Sequence, residues 1–318
     1  MGDRGSAKLA VALAFAQYIN CKEKSDKDSC GKCDSCIKYE KLAHPDLHLI
    51  FPVLQIKNIK KAISDNFIIE FRKEILKNPY LSIYHWFSNF SEENKTGKTG
   101  YIYTQEIESL QKKLALKNYE SEYRVVLIWM PEKMQINTSN KILKVLEEPP
   151  RKTIFLLVSE NEEALLKTIV SRVQKTVVSQ YDDLQIKEYL NRVSNEHSPT
   201  KIEETIKFSD KDLGEVIYLL GDPNFEENNF EYFQSWMRTC YSSNIKEITL
   251  WSQEISKEGR LGQSQFLKYC LKMIRNCLSY HFFEDRFLIA TKKEIKFLIK
   301  FHVFINENNI IEVAERLE

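Results

Sequence analysis

Tyr123-Arg124-Val125-Val126-Leu127-Ile128-Trp129, the run from Asn137 to Glu148 closed by Pro149-Pro150, and Thr153-Ile154-Phe155-Leu156-Leu157-Val158-Ser159 together decide the fold. The two outer runs are almost continuously apolar, as in strands covered on both faces of a parallel sheet. The middle run reads as a helix, and the proline pair stops it. Strand, helix, strand is the repeating unit of a doubly wound α/β domain. Working outward, Leu47 to Phe51 is a further strand candidate behind His44-Pro45-Asp46. A helix near Glu162 to Lys167 leads through Ser171-Arg172 to a last strand expected at Lys175 to Val178. Upstream, the Ala-rich stretch from Ser6 to Asn20 reads as a helix.

The 318 residues exceed what one core usually serves, so more than one domain is expected. Net charge is +1 with both signs interspersed, which argues against bulk electrostatic binding to nucleic acid or to an anionic membrane. No apolar run approaches the ~20 residues of a membrane helix. Residues 52 to 118 are mixed: an amphipathic helix around Asn58 to Lys77, an aromatic stretch from Pro79 to Gly100, and a helix from about Thr104 to Leu116. Beyond Gln180 the strand signals stop. Asp182 to Val193, Thr200 to Phe208 and Asp210 to Leu220 form a small three-helix unit, and a longer helical region follows from Phe230. There Phe266, Leu267, Cys270, Leu271, Ile274, Cys277 and Leu278 make an apolar stripe at helical spacing.

A phosphate loop reads G-x-x-x-x-G-K-[ST], with backbone N–H groups cradling phosphates, Lys on the β and γ groups and a hydroxyl on Mg²⁺. Gly2, Gly5 and Lys8 retain part of that pattern, while Ala7 stands for the second glycine and Leu9 for the Mg²⁺ ligand. A hydrolysing relative also ends its strand in Asp-Glu, where this chain has Trp129-Met130, with Glu132 displaced behind Pro131. Hydrolysis in cis is therefore not expected, and whether ATP binds is left open. Gly97-Lys98-Thr99 mimics a second loop but reads as a solvated turn, because no strand precedes it. The N-terminus also mimics a signal peptide (Leu9 to Ala16, with Ala14-Phe15-Ala16) and a myristoylation pattern (Met1-Gly2 with Ser6), but the loop-and-helix reading explains more of it.

Four of the seven cysteines, Cys21, Cys30, Cys33 and Cys36, crowd into one short stretch and supply a closed set of thiolates. A structural Zn²⁺ site is favoured over an iron–sulfur site or a loop of reduced thiols, in a reducing compartment. Cys240, Cys270 and Cys277 read as core thiols on apolar helix faces. His44 and His48 read as packing and turn residues, since Pro45 breaks any helix that would align them. Arg172, after a helix and before the last strand, could serve at a domain rim as an arginine finger.

The segment Asn140 to Pro150 (Asn-Lys-Ile-Leu-Lys-Val-Leu-Glu-Glu-Pro-Pro), the strand Thr153 to Val158, and Thr168-Ile169-Val170-Ser171-Arg172 resemble bacterial clamp-loader subunits, AAA+ proteins of the DNA polymerase III holoenzyme. The cysteine cluster and His44-Pro45-Asp46-Leu47 agree in order and spacing. The degenerate loop and the missing Asp-Glu make the resemblance one to the delta-prime branch and not to the ATP-hydrolysing gamma/tau branch.

The resemblance implies an α/β AAA+ domain with a P-loop NTPase-like parallel sheet over residues 1–179, with its first strand missing and a zinc module at 21–36. It implies an all-α lid over 180–226 and a shortened all-α C-terminal collar domain over 227–318. Cys21, Cys30, Cys33 and Cys36 match the family's zinc ligands. Arg172 matches a Ser-Arg-Cys finger, with Val173 in place of the Cys, that reaches the ATP of a neighbour. Gly214, within Asp212-Leu213-Gly214-Glu215, lies where active relatives carry a second nucleotide-sensing Arg. The expected partners are gamma/tau and delta subunits in a hetero-pentameric ring, the sliding clamp, and primer-template DNA through the complex, in the cytoplasm and without membrane. An active gamma/tau-type ATPase is the alternative, and an unrelated zinc-dependent DNA-binding module is a third class.

Overall fold

A computed structural model describes residues 1–56, 59, 61–88, 90, 100–193, 197–222, 224–283, 290–305 and 309–317. Gly97-Lys98-Thr99 lies outside them. The chain divides into two compact units. The first comprises Met1–Asn89, Lys98–Asp182 and Lys211–Glu215, and the second comprises the remainder.

The first unit is built on a parallel sheet of three strands in the order β1 (Leu47–Ile50), β2 (Arg124–Trp129) and β3 (Thr153–Val158). Leu47 pairs with Val125 and Arg124 with Thr153. Every residue of β2 is buried, as its continuous apolar run requires of a central strand. Around the sheet lie α1 (Lys8–Ile19), α2 (Asp34–Glu40), α3 (Ile68–Lys77), α4 (Ile83–Ser88), α5 (Thr104–Leu114), α6 (Ile136–Glu147) and α7 (Lys167–Val170). Successive strand side chains alternate between faces. Ile50, Val126 and Ile128 join Ile107, Leu110 and Leu114 of α5 and Ile142 and Val145 of α6 in one apolar cluster.

The described residues between 52 and 88 and between 100 and 118 contribute to this core. Phe51 stacks on Phe71 of α3 at 3.7 Å between ring centroids. Trp86 of α4 meets both rings edge-on, and Phe71 reaches Trp129 at 5.5 Å. The indole N–H of Trp86 donates to the Pro52 carbonyl at 2.8 Å, so its one polar atom is satisfied in full burial. Glu106 of α5 is buried too, and accepts the Ser64 N–H at 2.6 Å.

Lys175 to Val178 does not form the expected strand. The segment is extended, but its partner is the first residue of the chain: the Met1 amino group donates to the Thr176 carbonyl at 3.0 Å, and Val178 N–H to the Met1 carbonyl at 2.8 Å. The helix expected at Glu162 to Lys167 starts only at Lys167, as α7.

The second unit contains α8 (Asp183–Val193), α9 (Pro199–Phe208), all but the first turn of α10 (Leu213–Leu220), α11 (Phe225–Ser242), α12 (Ile245–Ile255), α13 (Gly259–Phe283), α14 (Lys292–Phe301) and α15 (Ile310–Leu317). Phe233, Phe266, Tyr269, Cys270, Met273, Ile274, Cys277 and Leu298 form its core; of the apolar stripe read from the sequence, Phe266, Cys270, Ile274 and Cys277 are buried in it, whereas Leu267 is exposed. Thr291 caps α14 in a reciprocal box with Glu294, whose carboxylate also accepts the buried Tyr269 hydroxyl. Cys240 departs from expectation: it is exposed, because the buried positions of α11 end at Phe233.

Candidate functional site

The degenerate phosphate loop folds as a tight turn from Asp3 to Ser6 ahead of α1, with Ser6 N–H donating to the Asp3 carbonyl at 3.2 Å. Gly5 has φ +69°, a left-handed conformation that favours glycine, and a Cβ there would lie 2.4 Å from Cα of Asp212. The backbone at Asp212-Leu213 thus rests directly on the loop. Lys8, which would reach phosphates, is 7% exposed. Its ammonium donates to the Asp3 carbonyl at 2.9 Å and pairs with Glu160 Oε1 at 2.9 Å. Arg4 lies 3.7 Å from the other Glu160 oxygen and stacks over the Tyr84 ring at 4.7 Å. Burial, reinforced by the Glu160 charge, pushes the Asp212 carboxyl up, against the pull of the Glu215 N–H. Both cations at this loop have carboxylate or carbonyl partners from the chain itself. An incoming phosphate would have to displace them.

Trp129 and Met130 occupy the end of β2, both buried. Met130 has φ +56°, and its N–H continues the ladder to the Val158 carbonyl at 2.8 Å. Glu132 accepts the Glu160 N–H at 2.8 Å. The displaced acidic residue therefore positions the backbone of the residue that neutralises Lys8. Gly214 sits in a closed place as well: its carbonyl accepts from the Asn78 side chain at 3.1 Å, and a Cβ would lie 2.1 Å from the Tyr80 carbonyl oxygen. A side chain at 214 would require that backbone to move.

Arg172 follows α7 and is about one-third exposed. Its Nη1 donates to the Thr168 carbonyl at 2.8 Å, and its Nη2 lies 2.5 Å from Oε1 of Glu147, the last residue of α6.

The four cysteines converge. All four Sγ atoms lie within 4.8 Å of one another, and those of Cys30 and Cys36 are 3.9 Å apart. Tetrahedral coordination with ~2.3 Å bonds places sulfurs about 3.8 Å apart, so the donor set fits such an ion in type, number and spacing. Cys30 N–H donates to Cys21 Sγ at 3.2 Å and Cys33 N–H to Cys30 Sγ at 3.3 Å, contacts that favour thiolate. Burial works against ionising Cys33, yet the N–H groups of Cys36 and Lys22 bring its thiol down to about 6; burial pushes Cys36 up to about 12.

His44 and Asp46 tie β1 to the turn before β2. The Asp46 carboxylate accepts three backbone N–H groups, from Tyr119 at 2.6 Å and from Glu120 and Ser121 at 2.9 Å each. Burial opposes its charge, but these three donors hold it below the usual carboxylate range. His44 stacks on Tyr39 and accepts the Asp46 N–H at Nδ1, which leaves Nε2 as the protonated nitrogen facing Ser121 and Glu120. A ring fixed in that tautomer cannot take a proton from the serine. The pair is a structural staple.

Sequence reasoning did not single out Glu160 or Glu147. Glu160 lies two residues beyond β3, where a loop carboxylate carries no periodicity signal. Glu147 belongs to a quoted motif, but its role is visible only once α6 and α7 are brought together.

A family model described as "DNA polymerase III, delta subunit" matches residues 1–182. The chain is 28% identical over 173 residues to DNA polymerase III subunit delta' of Bacillus subtilis, a match covering 54% of this chain and 39% of that relative. It is 26% identical to subunit delta' of Haemophilus influenzae over 54% of this chain and, again, 39% of the relative. Subunit tau/gamma of Haemophilus influenzae is 23% identical over 68% of this chain and 25% of its own length. The chain thus spans less than half the length of the curated relatives it matches. Among solved structures, a gamma-subunit-related protein from Thermotoga maritima superposes with a TM-score of 0.37 at 17% identity, over 69% of this chain and 81% of that one.

Proposed function

Because the chain belongs to the DNA polymerase III delta subunit family, we propose that it acts as a delta-prime-type subunit of a clamp loader, inert toward ATP itself and supplying Arg172 to a neighbour's ATP. The observation that carries this reading is the state of the phosphate loop: Lys8 is buried against Glu160 and the Asp3 carbonyl, and Asp212 covers Gly5. Trp129-Met130 and the enclosed Gly214 support it independently. In this reading gamma/tau and delta subunits complete a five-membered ring that opens the sliding clamp for primer-template DNA, in the cytoplasm. Residues 180–226 serve as a lid and 227–318 as a collar domain. The four-cysteine module holds one structural Zn²⁺, with Cys21, Cys30, Cys33 and Cys36 as ligands.

An arginine finger commonly accelerates hydrolysis by ~10³ to 10⁵. In a ring reconstituted with gamma/tau and delta subunits, Arg172→Ala is therefore expected to remove most DNA-stimulated ATPase while assembly, followed by native mass spectrometry, persists. Unchanged ATPase would overturn the finger assignment. The likeness to tau/gamma subunits raises the alternative of an ATPase in its own right; Leu9 and Trp129-Met130 speak against it, and hydrolysis by the purified chain would decide.

A further inference from the structure

We propose that Glu147 is a positioning residue for the finger: a cis counter-ion that holds the Arg172 guanidinium against its own domain until a neighbour's phosphates compete it away. This rests on the reading of Arg172 given above. Nη2 of Arg172 is 2.5 Å from Glu147 Oε1, and Nη1 is anchored on the Thr168 carbonyl, so both ends of the guanidinium fork are engaged within the chain. A planar fork held this way has a defined direction.

The place of Glu147 in its own helix supports the assignment. It is the last residue of α6, where the helix dipole presents partial negative charge and disfavours a carboxylate. Arg172 supplies what that helix end lacks. The same guanidinium lies just past the C-terminal end of α7, where a cation is favoured. The contact is also of the right strength to be exchanged. Glu147 is 47% and Arg172 34% exposed, and ion pairs that open to water shift populations only a few-fold. A triphosphate offers several negative oxygens, and outcompetes one solvated carboxylate. The restraint is thus real in the isolated chain and yields on assembly.

The test uses the assembled ring and four versions of this chain: wild type, Glu147→Gln, Glu148→Gln as a control for charge loss at the same helix end, and Arg172→Ala. Glu147→Gln keeps the shape and removes the charge. It is expected to raise ATPase turnover about two- to five-fold at low salt, with the advantage fading toward unity as ionic strength screens the pair in wild type. Glu148→Gln is expected to match wild type, and thermal melting checks that all chains fold. If Arg172→Ala leaves turnover intact, the finger reading fails and the restraint fails with it. If Arg172→Ala abolishes turnover but Glu147→Gln equals Glu148→Gln at every salt concentration, the restraint alone fails. A lower rate for Glu147→Gln would overturn it as well, since Glu147 would then be aiming the finger and not restraining it.

Discussion

At the scale of single residues, the turn from Gly2 to Lys8 is a packing joint. Lys8 keeps its position at the start of α1 but spends its charge on Glu160, and Glu132 fixes the backbone of Glu160. Gly214 shows the same packing in steric form. Its missing Cβ would stand 2.1 Å from a backbone oxygen of Tyr80, which cannot swing aside as a flexible side chain could. Gly214→Ala is therefore expected to cost about 1–3 kcal/mol through overpacking, read as a lower chemical-denaturation midpoint. A midpoint equal to wild type would mean that the backbone at 214 relaxes freely.

At the scale of elements, the segment between β1 and β2 carries a buried carboxyl, Glu106, that couples stability to pH. Burial raises Glu106 to about 7, although the Ser64 N–H and the charge of Lys113 pull the other way. A carboxyl raised on folding binds its proton more tightly in the native state, so this group's contribution is complete below the unfolded value near 4.5 and is lost as pH rises through about 7. Stability in denaturant melts is expected to decline between roughly pH 4.5 and 7 by up to a few kcal/mol. Glu106→Gln should flatten that slope, and an unchanged slope would assign it elsewhere. The elements themselves were largely legible. β2, α6 and β3 stand where the apolar runs and Pro149-Pro150 put them, because a central strand and a proline stop leave strong local signals. The aromatic cluster of Phe51, Phe71, Trp86 and Trp129 was not legible, since it joins residues far apart in sequence with no shared period. Lys175 to Val178 was misread because four residues ending in two valines carry local strand propensity but say nothing of a pairing partner.

At the scale of the whole molecule, each unit has its own core, and the cysteine module has a buried thiol at either end, Cys21 and Cys36. Exposed residues from Lys22 to Lys27 lie between Cys21 and the other three thiols. With that stretch open to water, a metal ion held by the four thiols is expected to supply much of the module's local folding free energy. Purified protein should contain about one zinc per chain, and stripping it with a strong chelator should expose residues 21–36 to hydrogen exchange while β2 stays protected. Retained protection across the stripped module would refute the structural role. The family assignment rests on residues 1–182, the portion in which the candidate site residues up to Arg172 lie. The spacing of the four thiols was legible directly, but the closure of the loop by Glu160 required three-dimensional proximity.

The ammonium of Lys8 is already committed within its own fold, to Glu160 and to the Asp3 carbonyl. On the proposed role, the purified chain is therefore expected to melt at one temperature with or without added nucleotide, and a clear upward shift would show that the loop opens to phosphate.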